Sequence, residues 1–127
     1  MDSLRIPILK ISDILIASIQ MELHDASAVQ FKDDLLQQIY TTRAQAVIID
    51  LTAVEVVDSF IGRLIADITA MTGLMGASVV LTGLQPAVAI TLVELGLELP
   101  QVTTALNLEK GLRLLQQWVE GRDADAP

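Results

Sequence analysis

The run Ala46-Val47-Ile48-Ile49-Asp50-Leu51 has one polar position in six. It is too short for an ordinary helix and lacks the alternation of a half-exposed strand. It reads as a strand covered on both faces, the situation of a central strand in a parallel sheet. A chain built around such a strand needs further strands beside it and helices above and below.

Both are legible. Ile6-Pro7-Ile8-Leu9-Lys10-Ile11 reads as a first strand, with Pro7 placing its start on a sheet edge. Ser12-Asp13 is a turn signal, and Ile14 to Ile19 forms a second strand, extendable into Met21-Glu22-Leu23. The two make a hairpin. Ala77 to Leu81 and Val102 to Ala105 supply two later strands.

The first helix starts between Asp25 and Ser27. Ser27-Ala28-Val29-Gln30 fits a capping box, and Ala28, Phe31, Leu35 and Ile39 share one face. The second runs from about Asp58 to Thr72, with a buried stripe of Ile61, Leu64, Ile65, Ile68 and Met71. Phe60, Arg63, Asp67 and Thr69 fall off that stripe. Pro86 suits the first position of a third helix, ending near Leu95 with Gly96 as a left-handed cap and Leu97 as its contact. Asn107 caps a fourth, with the stripe Leu108, Leu112, Leu115 and Val119 and Trp118 on its flank.

The order β-β-α-β-α-β-α-β-α defines an α/β fold: a mixed, mostly parallel sheet of about five strands with an N-terminal hairpin and about four helices. Residues 1–121 form a single domain and 122–127 a flexible C-terminal tail. The composition agrees: 52% hydrophobic but 3% aromatic, so the core is aliphatic.

Charge and residue content narrow the chemistry. The net charge of −8 repels phosphate backbones and argues against nucleic acid as a partner. The absence of cysteine excludes thiolate chemistry, cysteine metal sites and disulfides, and fits a reducing cytoplasm. Met1 to Arg5 does not open a signal peptide. The most membrane-like stretch, Ala77 to Val93, is broken by Thr82-Gly83-Leu84-Gln85-Pro86 and is too short to span. The single His24 sits in a loop, and Ser59 lacks a Gly-x-Ser-x-Gly elbow, so a serine hydrolase is not expected. Metal ligands and glycine-rich nucleotide loops are also missing. No catalytic residue, metal or cofactor is expected.

In a parallel sheet the loops after the strands gather on one edge, where function usually sits. Thr52 to Asp58 and Thr82 to Pro86 fall there. Asp58 and Ser59 can both cap the second helix, and an anion on Ser59 would meet the helix's unpaired N–H groups. Phe60 beside it has the character of a contact anchor.

At these residues the chain resembles the STAS family, shared by anti-sigma-factor antagonists and sulfate transporters. The likeness covers nearly the whole chain: Val47-Ile48-Ile49-Asp50-Leu51, then Val57-Asp58-Ser59, then Thr82-Gly83-Leu84, then Val102-Thr103-Thr104-Ala105-Leu106-Asn107-Leu108-Glu109-Lys110-Gly111-Leu112. Anti-sigma-factor antagonists carry Asp-Ser-Ser-Gly at the switch, whereas Phe60 and Ile61 follow Ser59 here. Asp58-Ser59-Phe60-Ile61-Gly62-Arg63 looks more like the short subunit of stressosomes. That resemblance implies a cytoplasmic, phosphorylatable scaffold without catalytic residues. It implies sequestration of a switch serine kinase, phosphorylation at Ser59, and partner contacts by Asp58, Phe60, Arg63, Thr82, Gly83 and Leu84. It further implies a larger STAS co-antagonist with a sensor domain, which this chain has no room for. A serine phosphatase and self-association in a large assembly complete the implied partners. A small-molecule or nucleotide-binding STAS module, using the space between the two loops, is the alternative, as is an anti-sigma-factor antagonist.

Overall fold

The computed structural model describes residues 6–20, 24–95 and 102–125. The expected extension at Met21-Glu22-Leu23, the Gly96 cap with Leu97 and the start at Met1 to Arg5 lie outside these residues, as does the side chain of Val119. Strands β1 (Ile8–Ile11), β2 (Ile14–Ser18), β3 (Ala46–Asp50), β4 (Ser78–Thr82) and β5 (Thr103–Ala105) alternate with α1 (Asp25–Thr42), α2 (Ser59–Leu74), α3 (Pro86–Glu94) and α4 (Leu108–Asp125).

The sheet order is β1-β2-β3-β4-β5. β1 and β2 form the antiparallel hairpin, and each later pair is parallel. β1 begins at Ile8 rather than Ile6 because Pro7 has no N–H to give the ladder.

Alternate side chains of the sheet feed two cores. Leu15, Ala17, Val47, Ile49, Val79 and Leu81 pack with residues of α1, α2 and α3. Ile14, Ile16, Ala46, Ile48 and Val80 face α4, whose Leu115 is fully buried. β3 is buried at every position, which is why its sequence shows no alternation.

Several local expectations shift. Ser27 is not the cap of α1: the cap is His24, and Ser27 sits three residues in. Its hydroxyl accepts from the His24 backbone N–H at 3.1 Å and donates to the His24 carbonyl at 2.9 Å. Gln30 therefore does not reach back; its amide donates forward to Asp34 Oδ1 at 2.9 Å. On α2 the last buried position is Thr72, and Met71 is exposed. At about 100° per residue, Thr72 lies about 40° around the helix from Ile68 and Met71 about 60° to the other side, which leaves Thr72 nearer the middle of the buried stripe. α4 runs to Asp125, across most of the segment assigned to a tail.

Candidate functional site

β3 and β4 end side by side, in register from Ala46↔Ser78 to Asp50↔Thr82. The ends stay tied beyond the ladder, since the Leu51 N–H donates to the Thr82 carbonyl at 2.8 Å. The loop from β3 to α2 is pinned in its middle by Val54 and Val57, both buried. It delivers Asp58 to the N-cap of α2 in extended conformation, and Asp58 Oδ1 accepts the Ile61 N–H at 2.8 Å.

Ser59 is then the first residue of the helix and is exposed. Asp58 alone does the capping, and the Ser59 hydroxyl makes no hydrogen bond among the described residues. A hydroxyl so placed is open to a reacting group. A phosphate on it would lie at the positive end of the helix dipole, which lowers the cost of the added charge.

Phe60 is 41% exposed, off the buried stripe as its spacing requires. Arg63 lies one turn beyond Ser59, exposed. The two residues line a shallow open concavity with Ser59, Leu64 and Asp67. Arg63 has no ion-pair partner among the described residues. Four expected site residues thus converge at one helix start: Asp58, Ser59, Phe60 and Arg63.

The second loop differs from expectation. Thr82 was expected to contact a partner but is fully buried. Its hydroxyl donates instead to Asp50 Oδ1 at 2.6 Å, and the Thr52 hydroxyl donates to the same oxygen at 3.0 Å. Asp50 is 6% exposed, so the carboxylate sits beneath both loops. The only sequence signal for it was a carboxylate inside an otherwise apolar strand. Gly83 and Leu84 are half-buried, and Leu84 packs on the larger core.

The two loops touch at Thr52. Gly83 has φ +71° and lies against Thr52, whose Cα would be 3.0 Å from an added Cβ. The Gln85 amide donates to the Thr52 carbonyl at 2.8 Å. The two loops thus close on each other at Thr52. A larger cavity lies at the opposite edge of the sheet, lined by residues including Ile39, Arg43, Gln45 and Gly76. Among the described residues, no cluster of three or more His, Asp or Glu side chains could hold a metal ion, and no helix is long and apolar enough to cross a membrane.

A mostly parallel sheet whose β3 leads into a capped α2 with an exposed serine is the arrangement that the resemblance to the STAS family implies. The STAS domain profile matches residues 5–110, and the chain belongs to that family. Among solved structures, a Moorella thermoacetica RsbS carrying a serine-to-glutamate substitution is 45% identical with a TM-score of 0.83, and the match covers 91% of this chain and 98% of that one. A chain from a structure of the stressosome, described as a signal integration and transduction hub, is 47% identical with a TM-score of 0.80, over 89% and 98%. The likeness to the short stressosome subunit is therefore met along nearly the full length of both.

The Bacillus subtilis RsbT co-antagonist protein RsbRA is 37% identical over 86 residues, which is 68% of this chain and 31% of that protein. The chain spans about a third of the length of the curated relatives it matches.

Proposed function

We propose that this protein is a phosphorylatable scaffold subunit of a stressosome-type assembly in the cytoplasm. It holds a switch-type serine kinase and releases it when that kinase phosphorylates Ser59. The observation that carries this reading is the exposed, unbonded hydroxyl of Ser59 at the first position of a helix capped by its neighbour. Phosphoryl transfer from ATP to Ser59 Oγ releases ADP, and the hydroxyl proton passes to the kinase. The backbone need not move to accept the product, because the helix start already presents unpaired N–H groups.

Release follows from charge. The phosphate adds about −1.5 to −2 at neutral pH beside Asp58, on a face that also carries Phe60. A partner seated over Phe60 meets a new, strongly hydrated dianion at the contact. Phe60 and Arg63 act as contact residues, and Gly83 and Leu84 support the adjoining loop. The protein itself is not an enzyme. Its partners are the kinase, a larger STAS co-antagonist with a sensor domain, a resetting serine phosphatase and further copies of the assembly's subunits. Likeness to RsbS and to a stressosome chain supports the assembly, and likeness to RsbT co-antagonists supports the co-antagonist partner.

The test is incubation with the switch-type serine kinase of the same organism and ATP, followed by peptide mass spectrometry. Phosphate is expected on Ser59; phosphate found only elsewhere would sink the reading. In pull-downs, Ser59→Ala keeps the kinase and Ser59→Asp weakens it. Equal retention by all three proteins would contradict release by charge.

A further inference from the structure

Arg63 stands one helical turn after Ser59 on α2, and both line the same shallow concavity. Residues at this spacing have Cβ atoms about 5–6 Å apart. Helical side chains lean toward the N-terminus of their helix, so Arg63 leans back toward Ser59. Arg63 is exposed and has no ion-pair partner among the described residues. Across residues 52–74, the first loop and α2, it is the single Lys or Arg of the sequence.

The carboxylates within reach leave it free. Asp67 lies one turn further on and lines the same concavity, yet it forms no ion pair with Arg63. The order of the charges accounts for this. At this spacing an anion N-terminal to the cation is the better arrangement, and Asp67 is on the other side. Asp58 Oδ1 is already held by the Ile61 N–H at 2.8 Å. On α1, which packs against α2, the Lys32 ammonium is paired with Asp33 at 3.4 Å, and the other charges of that helix are the acidic Asp25 and Asp34.

A phosphate on Ser59 supplies what Asp67 does not. It is an anion N-terminal to Arg63 at the favoured spacing. It carries about −1.5 to −2 and three acceptor oxygens, which suit the planar guanidinium fork. We infer that phosphorylated Ser59 pairs with Arg63 of its own helix, so that one modification both adds an anion and withdraws the single basic side chain of α2 from the partner face. This rests on the kinase reading of the site and deepens it. Arg63 is a kinase contact before phosphoryl transfer and the partner of the phosphate after it. The kinase then meets a face that has gained a dianion and no longer offers the guanidinium it had bound.

The experiment installs phosphoserine in place of Ser59 during translation, without the kinase, in the full chain and in its Arg63→Gln and Arg113→Gln variants. Arg113 is an exposed residue of α4, which packs on the other face of the sheet, and it controls for the loss of one positive charge. Phosphorus NMR at low salt reads the pH midpoint of the phosphate's second ionisation. A neighbouring guanidinium favours the dianion and lowers that midpoint. Arg63→Gln is therefore expected to raise it by at least about 0.5 pH units, and Arg113→Gln to leave it in place. Asp58 and the N–H groups of the helix start are common to all three chains. A midpoint that Arg63→Gln does not move, or that Arg113→Gln moves as far, overturns the pair. Calorimetry with the kinase, on the same chains without phosphate, reads the contact that the phosphate withdraws. Arg63→Gln is expected to bind about tenfold more weakly and Arg113→Gln as the unmodified chain does. Equal binding by Arg63→Gln overturns the withdrawal. A kinase that neither binds the unmodified chain nor modifies Ser59 removes the kinase reading and the role of the pair with it, whereas an unmoved midpoint overturns the pair and leaves kinase binding standing.

Discussion

The Thr82 hydroxyl donates to Asp50 Oδ1 at 2.6 Å across the ends of two parallel strands, and both residues are buried. The bond joins the last position of β3 to the last position of β4. A buried carboxylate without partners would be costly, so the hydroxyls of Thr82 and Thr52 do more than decorate it. They make burial of Asp50 tolerable, and Asp50 in turn fixes where the two loops leave the sheet.

Thr82→Val keeps shape and removes the donor. The variant is expected to lose about 1–3 kcal/mol of stability, the usual cost of leaving a buried acceptor short of a partner. Thr82→Ser keeps the hydroxyl and restores most of that loss. Urea denaturation midpoints of the three proteins decide it. A Val variant as stable as the unmodified chain would show that the bond does not matter to the fold.

Gly83 and Gly76 both have positive φ, +71° and +84°, yet they face different surroundings. A Cβ at Gly83 would overlap the Thr52 hydroxyl, whereas at Gly76 nothing lies within 4 Å. Gly76→Ala is expected to cost only backbone strain, about 1 kcal/mol. Gly83→Ala adds the clash and displaces Thr52 from Asp50, so its loss is expected to be at least about twice as large. Thermal melts of the two variants rank them, and equal losses would mean that Thr52 moves aside freely.

How much of this was legible before the structure depends on what kind of signal each residue carries. β3 was readable because burial on both faces leaves a continuous apolar run. Asp58 was readable because capping is a local bond within four residues. Ser59 followed from those two. Thr82 was misread because a threonine beside a glycine in a loop looks exposed, and only the register with Asp50 turns it inward. Asp50 itself was a polar interruption whose partners lie 2 and 32 residues away, the farther being invisible to any local pattern.

Thr72 was missed for a related reason, since polarity argued against a core position. It is fully buried, and its hydroxyl has no hydrogen-bond partner among the described residues. Thr72→Val replaces that hydroxyl with a methyl group of similar size. The variant is expected to gain about 1 kcal/mol, by removing the desolvation cost of an unpaired polar group. A calorimetric melting temperature above that of the unmodified protein supports this. A lower one would mean that the hydroxyl is satisfied in solution.

The cap and the charge of Asp58 can be separated, because asparagine caps a helix as well as aspartate does. Asp58→Ala removes the acceptor of the Ile61 N–H and is expected to cost about 1 kcal/mol, while Asp58→Asn costs little. Hydrogen exchange at the Ile61 amide should become faster in Asp58→Ala and stay slow in Asp58→Asn. The asparagine variant also removes the negative charge next to Ser59. If repulsion by Asp58 helps phosphoserine disturb this surface, phosphorylated Asp58→Asn should retain more kinase than the phosphorylated unmodified chain, with no difference before phosphorylation. Equal retention of the two phosphorylated proteins would leave the phosphate alone responsible for release and confine Asp58 to holding the helix start.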